Sequence, residues 1–316
     1  TKSFFNSIDS QNVMFDESLY VIQGAVKNEQ EEYKLYCGLK KGEKKIFKKN
    51  KKIYKKLADH IGFFPVVMIT PYDINLILEG SETRRRFFDA LIAQFDKNYL
   101  FELLQYNKLL KQRNAFLKTN TSSVDLLEVY DEQMIEKAQS IHESRKKFID
   151  EFIPIFNKFY QDISSNKEGV DLDYQSALHE NTMKELFIQN RAKDQLVGHT
   201  SSGIHRDDFL FSINSNPLKK FGSQGQQKTY LIALKLAKFE YIKLKKNVNP
   251  VLLLDDIFDK LDDHRVGYIL NLIEKNNLGQ TFITDTSKEK IPQILANLNI
   301  ESNLFWIENG NSSKLN

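Results

Sequence analysis

The chain has 316 residues, of which 41% are hydrophobic, and its formal net charge is +3. This length is sufficient for one large domain or for two lobes with separate cores. The single cysteine, Cys37, excludes an internal disulfide framework and multi-cysteine zinc sites. The sequence contains no secretory leader pattern and no apolar run of the roughly 18 residues that indicate a membrane span, so we expect a cytoplasmic protein.

Residues 17–70 contain short runs rich in β-branched and aromatic residues, which predict antiparallel strands. Within this zone the stretch "KKGEKKIFKKNKKIYKK", residues 40–56, contains ten lysines and one glutamate. Such a stretch can follow a phosphate backbone, because lysines give salt-sensitive affinity for nucleic acids without sequence preference. It can equally be a solvated hairpin whose apolar residues face a core. Both interpretations stay open.

From about residue 80 to 195 the apolar residues recur at helical spacing. Residues 98–118 and 126–163 predict a long helical pair that is joined by a polar turn. Ser123 or Asp125 is the expected N-cap of the second helix, and Pro154 is expected to kink or end it.

Arginines 84–86 form a run at a predicted helix start, near Glu82 and Asp89. These arginines either contact a DNA backbone, or relay a signal into the helical lobe, or form charge pairs on the surface. The sequence does not decide between these roles.

The candidate ligand-binding residues lie in the zone from residue 196 onwards. A helix is predicted to begin near Gln224 with Ser223 as N-cap, and a helix N-terminus preceded by small residues is suited to binding anions. An apolar strand, 251–254, runs directly into Asp255 and Asp256. A buried parallel strand that ends in two carboxylates is suited to a hard cation such as Mg²⁺. A second strand at 280–285 completes a βαβ-like series.

These segments resemble known motifs. "SQGQ" at 223–226, the apolar strand that ends in two aspartates, and "DKLD" at 259–262 resemble the signature motif, Walker B motif and D-loop of ABC-type ATPases, which include the SMC and RecF proteins. Four longer segments are similar to motifs of the RecF family, in the same order over nearly the whole chain. They are "TPYDINLILEGSETRRRFFD" at 70–89, "GIHRDDF" at 203–209, "SQGQQKT" at 223–229 and "LLLDDIFDKLD" at 252–262.

The resemblance implies an α/β fold, namely an ABC-type P-loop ATPase head with a parallel-sheet core and an antiparallel β subdomain, and with a helical second lobe. Residues 1–75 would form the N-terminal part of the head, without a P-loop. Residues 76–195 would form the helical lobe, and residues 196–316 the C-terminal part of the head.

The resemblance also implies roles for residues. Asp255 matches the Walker B aspartate, which holds Mg²⁺ through water, and Asp256 matches the catalytic residue that orients or deprotonates the attacking water. The implied ATP-contacting residues are Ser223, Gln224, Gly225, Gln226, Asp262 and Thr284. Most of these would meet the γ-phosphate held by the other subunit of an ATP-dependent homodimer. Thr284 stands where many relatives keep a switch histidine, which is a departure from the family pattern.

By resemblance, the complete protein would be a weak, DNA-stimulated ATPase of recombinational repair, replication restart and the SOS response. It would bind double-stranded DNA and gapped junctions with single strands, cooperate with RecR and RecO, and help load RecA. We expect no membrane partner. The candidate DNA contacts are Lys48, Lys49, Lys51, Lys52, Lys55, Arg84 and Arg85.

The phosphate-binding pattern G-x-x-x-x-G-K-[ST] does not occur in the 316 residues. The opening "TKSFFNSIDSQ" is similar to the family segment that follows the P-loop helix. We therefore expect the motif upstream, and expect the chain as given to bind ATP poorly or not at all. The alternative is a non-catalytic DNA-binding scaffold with an ABC-type fold.

Two other members of the superfamily fit less well. An SMC-type long arm is excluded because only residues 80–195 separate the two predicted halves of the head. An ABC transporter subunit is disfavoured by the "SQGQ" signature and by the second aspartate after the strand.

Overall fold

The computed structural model describes residues 8–27, 31–119, 124–165, 168–257, 261–275, 278–287, 289–296 and 301–315. The chain divides into two compact units, one up to Phe64 and the other from Pro65 onwards. The three-part division expected from the sequence, at 1–75, 76–195 and 196–316, stays a prediction.

The smaller unit contains an antiparallel sheet of β1 (Leu19–Lys27), β2 (Glu32–Lys40), β3 (Ile46–Lys49) and β4 (Lys52–Ile53), in that spatial order. Asn50 and Lys51 join the last two strands with φ values of 49° and 68°. Two successive positive φ values are what a type I′ hairpin turn requires. The hairpin interpretation of the lysine stretch is therefore confirmed. The expectation that its apolar residues face a core is wrong for Ile46 and Ile53, which are 40% and 63% exposed.

The larger unit begins with strand β5 and contains the long helices. Its elements up to the signature helix are β5 (Val66–Ile69), α1 (Asn75–Leu78), α2 (Ser81–Ile92), α3 (Lys97–Leu117), α4 (Val124–Ser164), β6 (Val170–Gln175), α5 (Met183–Val197), β7 (Asp208–Ile213), β8 (Asn216–Pro217) and α6 (Leu218–Phe221). They are followed by α7 (Gln224–Lys246), β9 (Val251–Asp255), α8 (Asp263–Glu274), β10 (Thr281–Thr284), α9 (Lys290–Ala296), β11 (Leu304–Glu308) and β12 (Asn311–Leu315).

A three-stranded parallel sheet, in the order β10-β9-β5, positions the predicted site. Val67 and Leu252 face each other in adjacent strands and are fully buried, as a strand covered on both faces requires. The predicted strands at 251–254 and 280–285 are confirmed. Two further groups of strands are antiparallel, β6-β7-β8 and β11-β12.

Helices α3 and α4 form the predicted long pair. Asp125 lies in the first turn of α4, while Ser123 lies outside the described residues. Helix α4 continues through Pro154 to Ser164, so Pro154 does not end it. The zone predicted as helical also contains a strand, β6, whose Leu172 and Tyr174 are buried at alternate positions. Alternation is the strand signal that the longer helical pattern obscured.

A buried arginine joins α4 to the elements around it. Arg145, 1% exposed, donates to both carboxylate oxygens of Asp89 on α2 at 2.9 and 3.1 Å. It also donates to the carbonyl of Ile204 and to Asp207 Oδ2, each at 2.8 Å. Burial favours loss of this charge, but the neighbouring acidic groups outweigh that effect and hold the pKa of Arg145 well above its usual value.

Two histidines border this network, the buried His142 and the half-buried His205. His205 Nε2 donates to the carbonyl of Thr200 at 3.0 Å, so its Nδ1 accepts from the Tyr106 hydroxyl at 2.9 Å. His142 Nδ1 lies 3.2 Å from the Tyr174 hydroxyl. Burial lowers the pKa of both histidines to about 4, because neither site solvates the imidazolium.

We predict that acidification from pH 7 to 5.5 lowers the free energy of unfolding by about 1 kcal/mol for each of these histidines. Between a folded pKa of about 4 and an unfolded pKa of about 6.5, only the unfolded chain takes up the proton. The stabilisation is therefore complete above pH 6.5 and declines as the pH falls. Urea unfolding over this range measures it. His205→Gln should show a shallower pH dependence than the wild type, and an equal slope would contradict the assignment.

Candidate functional site

The acid pair lies at the carboxyl end of the central parallel strand. Asp255 is the last residue of β9 and pairs in register with Thr284, the last residue of β10. The Thr284 hydroxyl donates to Asp255 Oδ1 at 2.6 Å. The structure therefore brings together two residues that the sequence placed at one nucleotide site, and it gives Thr284 the function of orienting the Asp255 carboxylate.

Asp256 leaves the strand with an unusual backbone conformation. Its φ is +49°, in the left-handed region, while its N–H still donates to the carbonyl of Thr284 at 3.1 Å. Left-handed backbone costs a side chain with a Cβ about 1 kcal/mol or more, and aspartate and asparagine tolerate it best. Because the chain turns directly after Asp255, Asp256 does not continue the alternating side-chain pattern of β9.

The predicted signature segment is a helix N-terminus with a complete capping box. Ser223 is the N-cap of α7, and its Oγ accepts from the N–H of Gln226 at 3.2 Å. The Gln226 Oε1 accepts in return from the N–H of Ser223 at 2.6 Å. The prediction of a helix from Gln224 with Ser223 as cap is confirmed. This turn presents the positive end of the helix dipole, which is favourable for an anion.

An arginine that the sequence did not single out joins this turn to the predicted D-loop. Arg265 Nη2 donates to the carbonyl of Gly225 at 2.8 Å, and Arg265 Nε donates to Thr229 Oγ1 at 2.7 Å. The same guanidinium forms an ion pair with Asp262, the N-cap of α8. A Cβ at Gly225 would lie 3.4 Å from Arg265 Nη2, so the guanidinium packs directly beside this residue. Asp259 and Lys260 of the D-loop motif lie outside the described residues.

Helix α7 is also fixed to the parallel sheet. Lys235 Nζ donates to the carbonyl of Met68 in β5 at 2.8 Å and to Asp73 Oδ1 at 2.5 Å. The other oxygen of Asp73 accepts from the N–H of Thr70 at 2.8 Å. Residues of the 70–89 motif therefore hold the signature helix against the strand that neighbours β9.

The arginine run has internal partners. Arg84 binds both oxygens of Asp208 at 2.8 Å, and Arg85 donates to the carbonyl of Asp207. Only Arg86 forms the exposed pair with Glu82 that the surface interpretation anticipated. Because their guanidinium groups are bound within the protein, we assign Arg84 and Arg85 to the turn at 203–208 and no longer to a DNA contact.

Gly203 allows this turn to form. Its φ is +121°, and a Cβ there would lie 2.6 Å from Met183 Cε and 2.8 Å from the Tyr106 hydroxyl. Together with the contacts of His205, Asp207 and the arginines, this gives the 203–209 motif a structural role in the turn.

The candidate DNA-contacting lysines lie on the β3–β4 hairpin and just after it. Lys48 Nζ stands 4.7 Å from the ring centre of Tyr36, and Lys49 Nζ stands 4.2 Å from that of Phe63. Lys51, Lys52 and Lys55 are exposed. Of these five candidate lysines, two are stacked on aromatic rings and three are exposed.

The donors at the end of β9 fit Mg²⁺. This cation takes oxygen ligands and is held in proteins by one or two carboxylates together with phosphate oxygens and water. Asp255 is such a carboxylate, oriented by Thr284. Among the described residues there is no cluster of three or more histidine, cysteine or acidic side chains that would form an all-protein metal cage. Within the same residues, no helix is long and apolar enough to cross a membrane.

Comparison with solved structures identifies the class. The SMC head bound to the C-terminal winged-helix domain of ScpA superposes with a TM-score of 0.51 and 13% identity, covering 95% of this chain and 74% of that one. A likeness at this identity shows the fold alone. The chain therefore has the fold of an SMC head.

The particular family follows from closer relatives. The DNA replication and repair protein RecF of Flavobacterium johnsoniae is 49% identical over 298 residues, which is 93% of this chain and 83% of the relative. RecF of Phocaeicola vulgatus is 46% identical over 98% of this chain and 84% of its own length. A solved structure of the recombination mediator protein RecF-ATP in the RecFOR pathway gives a TM-score of 0.87 at 34% identity, covering 99% of this chain and 84% of that one. The chain belongs to the RecF family. No family model matches it.

We predict that Asp256→Ala lowers the free energy of unfolding by about 1 kcal/mol, whereas Asp256→Asn leaves it nearly unchanged. The reason is the left-handed φ, which asparagine tolerates and alanine does not. Urea unfolding of the two variants measures the difference. Asp256→Gly serves as control and should be at least as stable as the alanine variant. An alanine variant more stable than the glycine variant would contradict the backbone argument.

Proposed function

We propose that this protein is a DNA-binding ATPase that dimerises on ATP and acts in recombinational DNA repair and replication restart. The observation that carries the proposal is the carboxylate pair at the end of β9, with Thr284 bonded to Asp255. It is supported by the capped signature turn that Arg265 joins to Asp262, and by membership of a family with a solved RecF-ATP structure.

In this proposal each residue has a separate task. Asp255 would hold Mg²⁺ through water, and the bound cation would neutralise charge on the phosphates. Asp256 accepts a hydrogen bond from the attacking water and takes its proton. In the signature turn, Ser223–Gln226, the N–H groups of Gln224 and Gly225, which the capping box does not use, and the Ser223 hydroxyl contact the γ-phosphate held by a second copy of the chain, and Asp262 lies at the same interface. Phosphoryl transfer depends mainly on positioning and on charge compensation, which these groups provide.

We further propose that the dimer engages double-stranded DNA next to single-stranded gaps, with RecR and RecO as partners in RecA loading. This assignment is supported by two solved relatives, which are structures of the recombination mediator protein RecF in the RecFOR pathway. The lysines of the hairpin, Lys48 to Lys55, are the proposed contacts with the DNA backbone, since the positive charge concentrated there favours binding to phosphates.

We predict that Ser223→Arg abolishes the dimer that forms with Mg-ATP, because the added guanidinium fills the place of the phosphate at the helix N-terminus. Light scattering of the protein expressed from its complete reading frame, with and without Mg-ATP, measures the mass. Thr182→Arg is the matched control, because Thr182 has the same capping-box role at the start of α5. This control should dimerise like the wild type.

A wild-type protein that stays monomeric under every condition would overturn the ATPase proposal. It would favour the DNA-binding scaffold, for which the lysine hairpin is the supporting feature.

We predict that Asp256→Asn reduces ATP turnover at least 100-fold and prolongs the lifetime of the ATP-bound dimer on DNA, because loss of a general base costs about 10²–10⁴ in rate. Steady-state phosphate release and dimer dissociation measure the two effects. The substitution suits the left-handed backbone, so a fall in turnover reports on chemistry and not on folding. Turnover equal to the wild type would remove Asp256 from the mechanism.

We predict that reversing the charges of Lys51, Lys52 and Lys55 weakens DNA binding and lowers the salt slope. Each lost phosphate contact should reduce the slope of log K against log salt concentration by about 0.9 for duplex DNA. Fluorescence anisotropy of a labelled duplex from 50 to about 200 mM salt measures it.

A control for this experiment needs an equal change in net charge elsewhere. Charge reversal of Lys111, Lys184 and Lys193, which are exposed on α3 and α5, provides it. If the hairpin contacts DNA, the slope of log K against log salt concentration falls in the first variant by the equivalent of two to three phosphate contacts, and the slope of the control variant stays unchanged. Equal slopes in both variants would assign the hairpin to solubility alone.

A further inference from the structure

The side chain of Gln226, the last residue of the signature turn, is held at both ends of its amide. Its Oε1 accepts from the N–H of Ser223 at 2.6 Å, and its Nε2 donates to Glu168 Oε1 at 2.8 Å. Glu168 lies between α4 and β6, 58 residues before Gln226. This acidic residue belongs to none of the sequence motifs, yet it fixes which way the Gln226 amide points.

Glu168 is in turn held by the end of the long helix α4. The Tyr160 hydroxyl donates to Glu168 Oε2 at 2.7 Å, so both carboxylate oxygens are bonded. The ring of Tyr160 is fully buried and packs edge-on against Tyr230 of α7, with 6.1 Å between the ring centres. Burial and packing hold the Tyr160 ring in place on α4, and Glu168 takes its position from the Tyr160 hydroxyl.

The geometry points to Glu168 as a positioning residue that couples helix α4 to the signature turn. The hydrogen-bonded chain runs from Tyr160 on α4 through Glu168 to Gln226, and from Gln226 to the N–H of Ser223. A displacement of α4 reaches the nucleotide-facing turn directly through this chain. This inference rests on the proposed function, because it assigns regulation to the surface that meets ATP across the dimer.

The chemistry of the chain predicts how single changes act. Glu168→Ala removes the acceptor of the Gln226 amide, which is then free to leave the capping box. Glu168→Gln retains both links, because a glutamine oxygen accepts from Gln226 while its amide nitrogen donates to the Tyr160 oxygen. Tyr160→Phe removes one hydroxyl and preserves the packed ring.

The test measures the dimer dissociation constant in saturating Mg-ATP, by light scattering over a range of concentrations of the full-length protein. Glu168→Ala should weaken the dimer at least tenfold and Tyr160→Phe about threefold, whereas Glu168→Gln should stay close to the wild type. Binding of a fluorescent ATP analogue at concentrations where the protein is monomeric should be the same in all variants, because the coupling acts across the dimer seam. A general loss of structure would change both measurements.

Tyr241→Phe is the matched control. Tyr241 lies farther along α7, and its hydroxyl donates to Glu151 of α4 at 2.7 Å, so the variant also loses a tyrosine–glutamate hydrogen bond, at a place that does not contact the signature turn. It should dimerise like the wild type. An equal weakening in Tyr160→Phe and Tyr241→Phe would overturn the coupling.

The failure of this inference is distinguishable from that of the proposed function. If Glu168→Ala dimerises like the wild type while Ser223→Arg does not, the coupling is wrong and the ATP-dependent dimer stands. If the wild type itself does not dimerise with Mg-ATP, both are overturned.

Discussion

Arg145 is a charge buried inside the larger unit, and the surrounding elements are arranged to compensate it. Removing a guanidinium from water costs several kcal/mol, which is recovered only if acidic groups and carbonyls reach it with good geometry. Asp89 of α2, Asp207 beside β7 and the carbonyl of Ile204 meet this requirement. These contacts explain the positions of the "GIHRDDF" turn and of the arginine-rich helix α2, since together they solvate the Arg145 side chain of α4.

This constraint also explains how the long helix relates to the capped turn at the start of α7. Helix α4 has 41 residues and is about 60 Å long at 1.5 Å per residue. Its middle is held by Arg145, and its C-terminal half packs along α7 through aromatic pairs such as Phe156 with Tyr230, 4.6 Å apart. Glu168, just beyond its end, accepts a hydrogen bond from Gln226 in that turn at 2.8 Å.

Much of the site could be predicted from the sequence, because its signals are local. A serine followed three residues later by glutamine, before an apolar helical stripe, specifies the capped start of α7. A short apolar run that ends in two aspartates specifies a buried strand with carboxylates at its edge. Arg265 and Glu168 could not be found in this way. Arg265 is 40 residues from its partner Gly225, and Glu168 is 58 residues from its partner Gln226. No sequence spacing predicts such pairs.

The sequence by itself determined the order of the motifs, the long helical pair and the family, since each depends on residues adjacent along the chain. Only the tertiary structure decided what the charged residues do. Arg84 and Arg85, equally suited by sequence to DNA or to an ion pair, turn inward to Asp208 and to the carbonyl of Asp207. The physical reason is that a charge takes the partner that folding brings within hydrogen-bonding distance, and that distance is a property of the packed chain.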